Sequence, residues 1–314
     1  NYSGIDQTVD TAFKTSGISW NLLPMSNAML GNEYGTSDSR LSIRGLAEED
    51  DFWTAGDESY GLKDKSFLWV LETKFAPILD KVKKGVQVKS IDYQNDKVKL
   101  KDQAGKSYEA DRVVVTVPLT ILREGGITFS PALPATKQSA FQNIGMGAGM
   151  KVIFKFSQPF WDTLLTPNLG SIIGYSEVPE IWATSVGRGT TPIITMFIMG
   201  EKAEYVSSLG TEAIPFLTTH LDYIFATGAP VASQSLVQNG IHIMDWTKEP
   251  FIKGAYSYPI VGGGLIYRKE LAAPVDAKVF FAGEATHFEG HSGTVHGAIE
   301  TGIRAVEEIE ASIV

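Results

Sequence analysis

The chain has 314 residues, which suggests roughly two domains with enough apolar residues to form ample cores. Hydrophobic residues make up 43% of it and the net charge is −9. No basic stripe with interleaved aromatic residues occurs, which argues against a nucleic-acid partner and suits a small cationic ligand better. Cysteine is absent, which excludes disulfides and thiolate metal sites, and no apolar run of about 18 residues could span a membrane. We expect a soluble protein, with the cytoplasm slightly favoured.

The first 119 residues predict helices and loops followed by a β-meander. Residues 1–60 read as helix and loop. Apolar residues recur at helical spacing from Ser66 to Val82, and Gly85 follows as a helix stop. Strands are then expected over 86–93, around 98–100 and at 108, and residues 112–117 read as a buried strand that Pro118 ends.

Residues 120–250 predict a sheet with helices packed on it. A helix is expected from the Pro-rich stretch at 131–134 to about Asn143. Residues 151–156 alternate as a strand that puts Lys151 and Lys155 on one face. Further strands are expected over 171–175, 181–186 and 192–199, and a helix over 211–225. Strands followed by helices, without alternation between the two, predict an antiparallel sheet flanked by helices.

The most informative stretch is C-terminal, where an apolar strand, a Gly-rich loop and a helix follow one another. Phe280 and Phe281 lie in a short buried strand, and Gly283 lets the backbone come close to a ligand. Glu284 can accept hydrogen bonds from sugar or ribityl hydroxyls. The helix that opens near Thr294 offers unpaired backbone N–H groups and a positive dipole end to an electron-rich ring edge. This order suits a flavin nucleotide.

The strings Phe-Ala-Gly-Glu at 281–284 and Thr-Val-His-Gly-Ala at 294–298 resemble the C-terminal FAD motif of the flavin-containing amine oxidases. That family includes polyamine oxidases, monoamine oxidases and flavin histone demethylases. The resemblance implies an α/β plus α+β fold, in which an FAD-binding domain of the glutathione-reductase type interleaves with an antiparallel-sheet-and-helix substrate domain. It implies substrate-domain segments at 1–60 and 120–250, and FAD segments at 61–119 and 251–314. Because the chain has no cysteine for a cysteinyl link, non-covalent FAD is expected.

The resemblance also implies catalytic residues. Lys151 corresponds to a lysine that holds a water against flavin N5 and tunes reoxidation by dioxygen. Trp246 lines the flavin, and Tyr256 forms one wall of an aromatic cage that attracts a cationic amine. The second wall is aromatic in many members, but here that place holds Thr294, which implies a more open cage. The cofactor-binding positions implied by the family, besides Trp246, are Val88 at the adenine, Thr116, Pro118, Gly283, Glu284, Thr294 and Val295.

One departure from the family is that the chain lacks a strand, a Gly-x-Gly-x-x-Gly turn and a helix in succession. Gly145–Gly149 is Gly-rich but precedes a strand, and Gly262–Gly264 is not expected to start a helix. The resemblance begins near residue 20 and matches roughly the C-terminal two-thirds of a typical member. The chain is therefore expected to be a fragment, or to be completed by an N-terminal companion fragment or chain.

The reaction implied is polyamine-oxidase-like. The amine α-carbon gives a hydride to flavin N5, the imine hydrolyses to an aldehyde or ketone, and O2 is reduced to H2O2. An amino-acid oxidase or a desaturase-type flavoenzyme stays open. The former needs an arginine facing the substrate carboxylate, for which Arg123 and Arg188 are candidates. A non-catalytic module or inactive fragment is a further alternative.

Three histidines, His287, His291 and His296, fall within ten residues and could indicate a metal site. No glutamate follows His287 as the zincin pattern requires, and Gly290 and Gly293 argue against a helix that would align the imidazoles. We therefore expect no metal at this cluster.

Overall fold

A computed structural model of the chain describes residues 2, 4–56, 62, 64–163, 169–185, 189–225 and 229–313. The strands within these residues are β1 (Val88–Asp92), β2 (Val98–Asp102), β3 (Ser107–Ala110), β4 (Val113–Val115), β5 (Thr128–Ser130), β6 (Ile144–Met146), β7 (Gly149–Phe156), β8 (Ser171–Ile173), β9 (Glu180–Ala183), β10 (Ile193–Met199), β11 (Leu236–Asp245), β12 (Ser257–Pro259) and β13 (Val279–Phe281).

The α-helices are α1 (Val9–Thr15), α2 (Leu23–Asn27), α3 (Ile43–Asp51), α4 (Phe67–Lys74), α5 (Leu119–Arg123), α6 (Ala135–Asn143), α7 (Gly200–Ser208), α8 (Ala213–Ile224), α9 (Val231–Ser235), α10 (Leu265–Ala272) and α11 (Val295–Ala311). A π-helical turn covers Ala28–Asn32. Short 3₁₀ turns cover Trp20–Leu22, Ala76–Lys81, Phe160–Thr163, Gly210–Glu212 and Glu284–Thr286.

The largest sheet among the described residues has five antiparallel strands in the order β11-β7-β10-β9-β8. Its alternation is the one predicted for residues 151–156: Val152 and Phe154 are fully buried and pack against α8 through Leu217 and Leu221. The opposite face carries Lys151, which pairs across the sheet with Phe197. One face of the sheet therefore forms a core, and the other is free to form a site.

A small parallel sheet joins the middle of the chain to its C-terminal part. Strand β4 pairs in parallel with β13, in register from Val113–Val279 to Val115–Phe281. The β13 residues are almost completely buried, and α11 packs beside them. Because carboxyl ends of parallel strands meet at one edge, the residues after β4 and β13 lie next to each other there.

A four-stranded sheet in the order β3-β2-β1-β5 contains the predicted meander. The helical periodicity from Ser66 to Val82 does not give one helix. Helix α4 ends at Lys74 and a 3₁₀ turn with Pro77 in its first turn follows, since proline has no N–H to continue an α-helix. The end of the strand predicted over 181–186 lies outside the described residues.

The expectation that no helix starts after Gly262–Gly264 is wrong, because α10 begins at Leu265 with Gly264 as its N-cap. The preceding strand, β12, pairs antiparallel with β6, unlike a dinucleotide-binding unit. Asp6 accepts a hydrogen bond from the Gly262 N–H at 2.7 Å, and a Cβ at Gly264 would lie 3.0 Å from a Glu48 carboxylate oxygen. Two carboxylates thus occupy this turn, which opposes the binding of a phosphate there.

A buried ion pair fixes α10 against α3. The Arg268 guanidinium lies 2.9 Å from the Glu49 carboxylate, and the two side chains are 2% and 5% exposed. Arg268 also donates to Ser257 Oγ at 2.7 Å and to the Ala285 carbonyl at 3.2 Å. Burial raises the pKa of Glu49, and the positive charge of Arg268 opposes that rise. This cation therefore connects an N-terminal helix with the strand and turn that surround the predicted FAD motif.

We expect Arg268→Met to lower the free energy of unfolding by about 3–5 kcal/mol, because it leaves a buried carboxylate without its partner. Arg40→Met is the matched control, since Arg40 pairs with Glu204 where both side chains are well exposed, at 37% and 48%. It is expected to cost about 0–1 kcal/mol. Urea unfolding measures both, and equal losses would contradict the role of the buried pair.

Lys137 on α6 is a second buried cation, 2% exposed. Its Nζ donates to the Leu271 carbonyl at 2.9 Å and to the Ala273 carbonyl, and it lies 4.0 Å from the centroid of the Phe281 ring. Burial lowers the pKa of Lys137 to about 7. The cost of burying the ammonium is therefore fully present below that pH and is relieved above it.

Between about pH 7 and pH 10 the unfolded chain holds the Lys137 proton more tightly than the folded one, so this residue makes stability rise with pH, by up to about 1.4 kcal/mol per pH unit. Lys137→Met should flatten the curve of unfolding free energy against pH in that window. Lys101→Met, which removes an exposed lysine, should leave the slope as it is. An unchanged slope in Lys137→Met would show that this group is charged in both states throughout.

Candidate active site

A cavity of about 260 Å³ opens where β4 and β13 end. Four of the predicted cofactor residues line it, namely Thr116, Pro118, Gly283 and Glu284. Gly283 has a φ of +123°, and a Cβ built on it would stand 3.9 Å from the Thr116 carbonyl oxygen, between the two strand ends. Any side chain at position 283 would enter this gap. Because glycine has no side chain, a ligand can approach the backbone there.

A second cavity of about 620 Å³ contains Val88 on β1. Val117 lines both cavities, so they are neighbours along the chain segment that follows β4. The predicted adenine side and the predicted ribityl side thus open next to each other. An elongated ligand such as a dinucleotide fits this arrangement better than a compact one.

The first turn of α11 borders the same region. Thr294 is the N-cap: its hydroxyl accepts from the Gly297 N–H at 2.9 Å and donates to the His291 carbonyl at 2.7 Å. Val295 follows and is 51% exposed. The structure therefore gives Thr294 a capping role, while Val295 presents an apolar surface to the outside.

The Glu284 carboxylate is already engaged by the protein. It accepts from Ser257 Oγ and from the Gly293 N–H, both at 2.7 Å, and from the Ser257 N–H at 3.2 Å. A carboxylate has about four acceptor positions, so three of them are taken. Glu284 thereby fastens the Gly-rich loop to β12, and its contact with sugar or ribityl hydroxyls stays a prediction.

Lys151 on β7 lies on the open face of the five-stranded sheet. Its Nζ is 5.3 Å from the ring centroids of both Trp182 and Phe197. Burial lowers the pKa of Lys151, and the negative charge of Glu180 opposes this. Lys155, four residues further along β7 and on the same face, is exposed.

Sequence reasoning missed Glu180. This carboxylate is 7% exposed, and it accepts from Asn32 Nδ2 at 2.8 Å and from Trp182 Nε1 at 3.1 Å. Burial raises the pKa of Glu180 and is the largest of the effects on it. Alternation along β9 could have indicated that Glu180 shares a face with Trp182, but its proximity to Lys151 depends on long-range pairing.

Tyr256 lies between backbone segments that leave room for its ring. Its hydroxyl donates to the Glu33 carbonyl at 2.6 Å. A Cβ built at Gly35 would be 2.7 Å from the ring, and one at Gly293 would be 3.1 Å from it. Burial, with further contributions from the charges of Glu33, Glu180 and Glu284, raises the pKa of Tyr256 far above its usual range, so the phenol is neutral. Tyr256 thus stands beside the loop that leads into Thr294.

Trp246 follows β11, and its backbone N–H donates to the Gly149 carbonyl at 3.1 Å, at the beginning of β7. The residue is half-buried. The negative charge of Glu180 acts electrostatically on two of the predicted site residues, because it opposes the lowering of the Lys151 pKa and contributes to the raised pKa of Tyr256.

Arg123 does not face a ligand. Its guanidinium donates to the carbonyls of Phe141 and Ile144, where α6 meets β6. Burial lowers the pKa of Arg123. Its donors therefore serve the backbone, unlike the carboxylate-binding arginine of an amino-acid oxidase, and Arg188 lies outside the described residues.

His287, His291 and Glu300 bring candidate metal-ligand atoms within 4.8 Å of one another. The Glu289 and His291 N–H groups both donate to His287 Nδ1, at 3.2 and 3.1 Å, so the His287 proton is on Nε2, 2.9 Å from Glu300. A metal at Nε2 would need that proton on Nδ1, against two N–H donors. The cluster is therefore explained as hydrogen bonding to Glu300, which His291 Nδ1 also contacts at 2.8 Å.

Gly35→Ala tests the packing of the Tyr256 wall. We expect it to cost about 1–3 kcal/mol of unfolding free energy beyond the cost of Gly17→Ala, because a Cβ at Gly35 overlaps the tyrosine ring. Gly17 is a matched control: its φ of +75° is close to the +73° of Gly35, but its Cβ would meet nothing within 4 Å. Urea unfolding of the two variants gives the difference, and equal costs would mean that Tyr256 does not fill this space.

Comparison with known proteins defines the class of this protein. Residues 75–310 match the family described as "Flavin containing amine oxidoreductase", and the chain belongs to this family. The match confirms the family expected from the C-terminal strings, and with it the FAD cofactor. Among the described residues, no helix combines the length and apolar character needed to cross a membrane.

The relatives that match the chain include polyamine oxidases and a histone demethylase-like protein. The chain is 29% identical over 242 residues to Polyamine oxidase 2 of Arabidopsis thaliana, covering 74% of this chain and 47% of that protein. It is 32% identical over 267 residues to Histone demethylase-like protein A of Aspergillus fumigatus, covering 78% of this chain and 23% of that protein. The chain thus spans about half the length of the polyamine oxidases that it matches.

Solved structures confirm the predicted fold class. Cyclohexylamine oxidase from Brevibacterium oxydans superposes with a TM-score of 0.80 at 20% identity, over 98% of this chain and 68% of that one. A variant of putrescine oxidase gives the same TM-score, 0.80, at 20% identity and 97% and 68% coverage. At this identity the likeness concerns the fold. The domain boundaries and the role of each site residue stay predictions.

Proposed function

We propose that this chain supplies the amine-binding face and part of the FAD groove of a polyamine-oxidase-like enzyme. The observation that supports this best is a set of contacts around one buried carboxylate, Glu180, together with the bare groove after β4 and β13. The indole ring that Lys151 contacts donates to Glu180, and so does Asn32, whose neighbour Glu33 accepts from the neutral Tyr256. Cation, aromatic wall and groove come from three distant parts of the sequence, and the family match gives the arrangement its chemical meaning.

FAD would accept a hydride from the carbon next to the amine nitrogen and pass the electrons to O2, giving H2O2 and an imine that hydrolyses to an aldehyde or ketone. The residues that would hold it are Val88, Thr116, Pro118, Trp246, Gly283, Glu284, Thr294 and Val295. Lys151 would hold a water beside the reacting edge, as the lysine at this position does in the family.

Tyr256 would form one wall of the amine site. Its ring is fixed by Gly35 and Gly293, and its hydroxyl by the Glu33 carbonyl, so the aromatic face keeps one orientation. Such a face attracts a cationic amine and orients it. Thr294 at the other wall is small and engaged in capping, which leaves room for a substituted or elongated amine.

The FAD groove is open on one side. Within the described residues β4 and β13 pair only with each other, Val114 is 36% exposed, and α11 leaves Ile303 and Val306 56% and 52% exposed. We propose that a dinucleotide-binding segment outside this sequence, on the same polypeptide or on a companion chain, covers this surface. Its Gly-rich turn would hold the pyrophosphate.

The first experiment is a visible absorption spectrum of the purified protein beside the intact mass of every chain present. Flavin bands with amine-dependent peroxide release support the proposal. Flavin bands without peroxide release from any of a panel of mono-, di- and polyamines would contradict the amine-oxidase activity. A colourless preparation that contains only this chain would favour the alternative of a non-catalytic module or inactive fragment.

Lys151→Met is expected to lower amine-dependent peroxide release about 10²-fold, the usual effect of removing one preorganised charged group from an active site. Lys155→Met is the matched control, because Lys155 is exposed on the same face of β7. The measurement is the rate of peroxide release by both variants, normalised to their flavin content. Equal activities would remove Lys151 from the proposed site.

A further inference from the structure

We propose that Glu180 is a positioning residue for Lys151 and acts on its ammonium group through the ring of Trp182. Nothing in the family match assigns a role to Glu180. The inference concerns a contact within this chain, and only its value for amine oxidation rests on the proposed function.

The sheet register puts the participating side chains on one face. Phe197 on β10 pairs with Lys151 on β7 and with Glu180 on β9, so the three lie in one row across neighbouring strands. Trp182 lies two residues after Glu180 and therefore on the same face. The rings of Trp182 and Phe197 are stacked, with centroids 5.1 Å apart and planes inclined by 22°.

The Lys151 ammonium lies over these two rings, 5.3 Å from each centroid. That geometry is a cation–π interaction, which gains strength where water is partly removed. Trp182 meanwhile donates its Nε1–H to Glu180 at 3.1 Å. A negative charge at the indole N–H polarises the ring and makes its face more attractive to a cation, so the carboxylate strengthens the contact from the edge of the ring.

Asn32 keeps the carboxylate in this position. Its Nδ2 donates to the other Glu180 oxygen at 2.8 Å, while its Oδ1 accepts from the Met199 N–H at 2.8 Å. Asn32 is fully buried, at 0% exposure. Glu180 is thus held between a fixed amide and the indole N–H, and the same indole ring makes the cation–π contact with Lys151.

The charged and titratable groups that act on this pair come from three segments. Lys151 on β7 acts on Glu180, and so does Glu33, which follows the π-helical turn. Tyr256, before β12, experiences the charge of Glu180. For Lys151 itself, burial lowers the pKa and Glu180 is the charge that opposes this. Removal of the Glu180 charge should therefore destabilise the ammonium.

The test is an NMR titration of the Lys151 ammonium in the full chain with ¹⁵N-labelled lysine, the signal being assigned by its loss in Lys151→Met. Glu180→Gln keeps the size and one of the two acceptor oxygens but removes the charge. We expect it to lower the Lys151 pKa by about one pH unit, as estimated for charges two strand spacings apart at an effective dielectric constant of about 20. Trp182→Phe, which keeps a ring but removes the N–H, should shift it in the same direction, and the double variant should shift it no further than Glu180→Gln alone.

Glu177→Gln is the matched control, because Glu177 precedes β9 by three residues and pairs with Lys202 instead. It should leave the Lys151 titration unchanged. An unchanged pKa in Glu180→Gln would overturn the proposal. An unchanged or raised pKa in Trp182→Phe would overturn the action through the ring. If Glu180→Gln does not fold, the Trp182→Phe titration decides alone.

The titration needs neither FAD nor an amine, so it stands even if the proposed oxidation fails. If that oxidation is real, the pH profile of peroxide release gives a second reading. Its alkaline limb should move to lower pH in Glu180→Gln by the same amount as the Lys151 titration. A purely structural role for Glu180 would change the amplitude of the profile without moving that limb.

Discussion

The contacts of the buried Arg268 guanidinium are the interactions on which the rest of the site depends. The guanidinium contacts Glu49 on α3, Ser257 on β12 and the Ala285 carbonyl, so one cation joins an N-terminal helix to both sides of the FAD motif. Ser257 in turn donates to Glu284, which holds the Gly293 N–H. A buried charge is costly unless its donors are used, and here they converge on separate segments. Residues far apart in the chain are thereby held in one arrangement.

Close backbone contacts at glycines complete this arrangement. A Cβ at Gly147 would lie 1.8 Å from the Gly35 carbonyl oxygen, and one at Gly149 would lie 2.7 Å from the Ala255 side chain. The Ala255 N–H donates to the Gly147 carbonyl at 2.8 Å. The Gly-rich stretch before β7 therefore brings the Tyr256 segment and the Gly35 turn against the sheet that carries Lys151. These glycines allow backbone segments of the chain to pack closely against one another. This packing explains why the stretch contains so many glycines without invoking a phosphate ligand.

Local patterns predicted much of the fold and part of the site. The alternation of residues 151–156 indicated both the buried face and the face of Lys151, and the C-terminal strings indicated the groove around Gly283. Strand β11 was missed because Asn239 takes a positive φ of 60° and the register shifts between Leu236 and Ile241, which disturbs the alternation. Glu180 was missed for another reason. The position of Glu180 beside Lys151 depends on strand pairing with β10 and on Asn32, 148 residues away. The residues next to Glu180 in the sequence indicate neither contact.

Lys137 and Lys151 show how the extent of burial and nearby carboxylates together set the pKa of a lysine. Lys137 lies over Phe281 and donates to two backbone carbonyls, and burial lowers its pKa to about 7. The charges of Glu270 and Glu308 oppose that shift, and the charge of Arg304 adds to it. Lys151 also lies over aromatic rings and its pKa is also lowered by burial, but its side chain is only half-buried, and Glu180 is the charge that opposes the shift. Carbonyl dipoles and a ring face compensate only part of the cost of removing an ammonium from water. A lysine that must keep its proton at the proposed amine site therefore depends both on incomplete burial and on a negative charge nearby. A direct ion pair would occupy the ammonium, whereas a carboxylate bonded to the indole N–H of the ring that the ammonium contacts stabilises the charge and leaves its N–H groups available to a water.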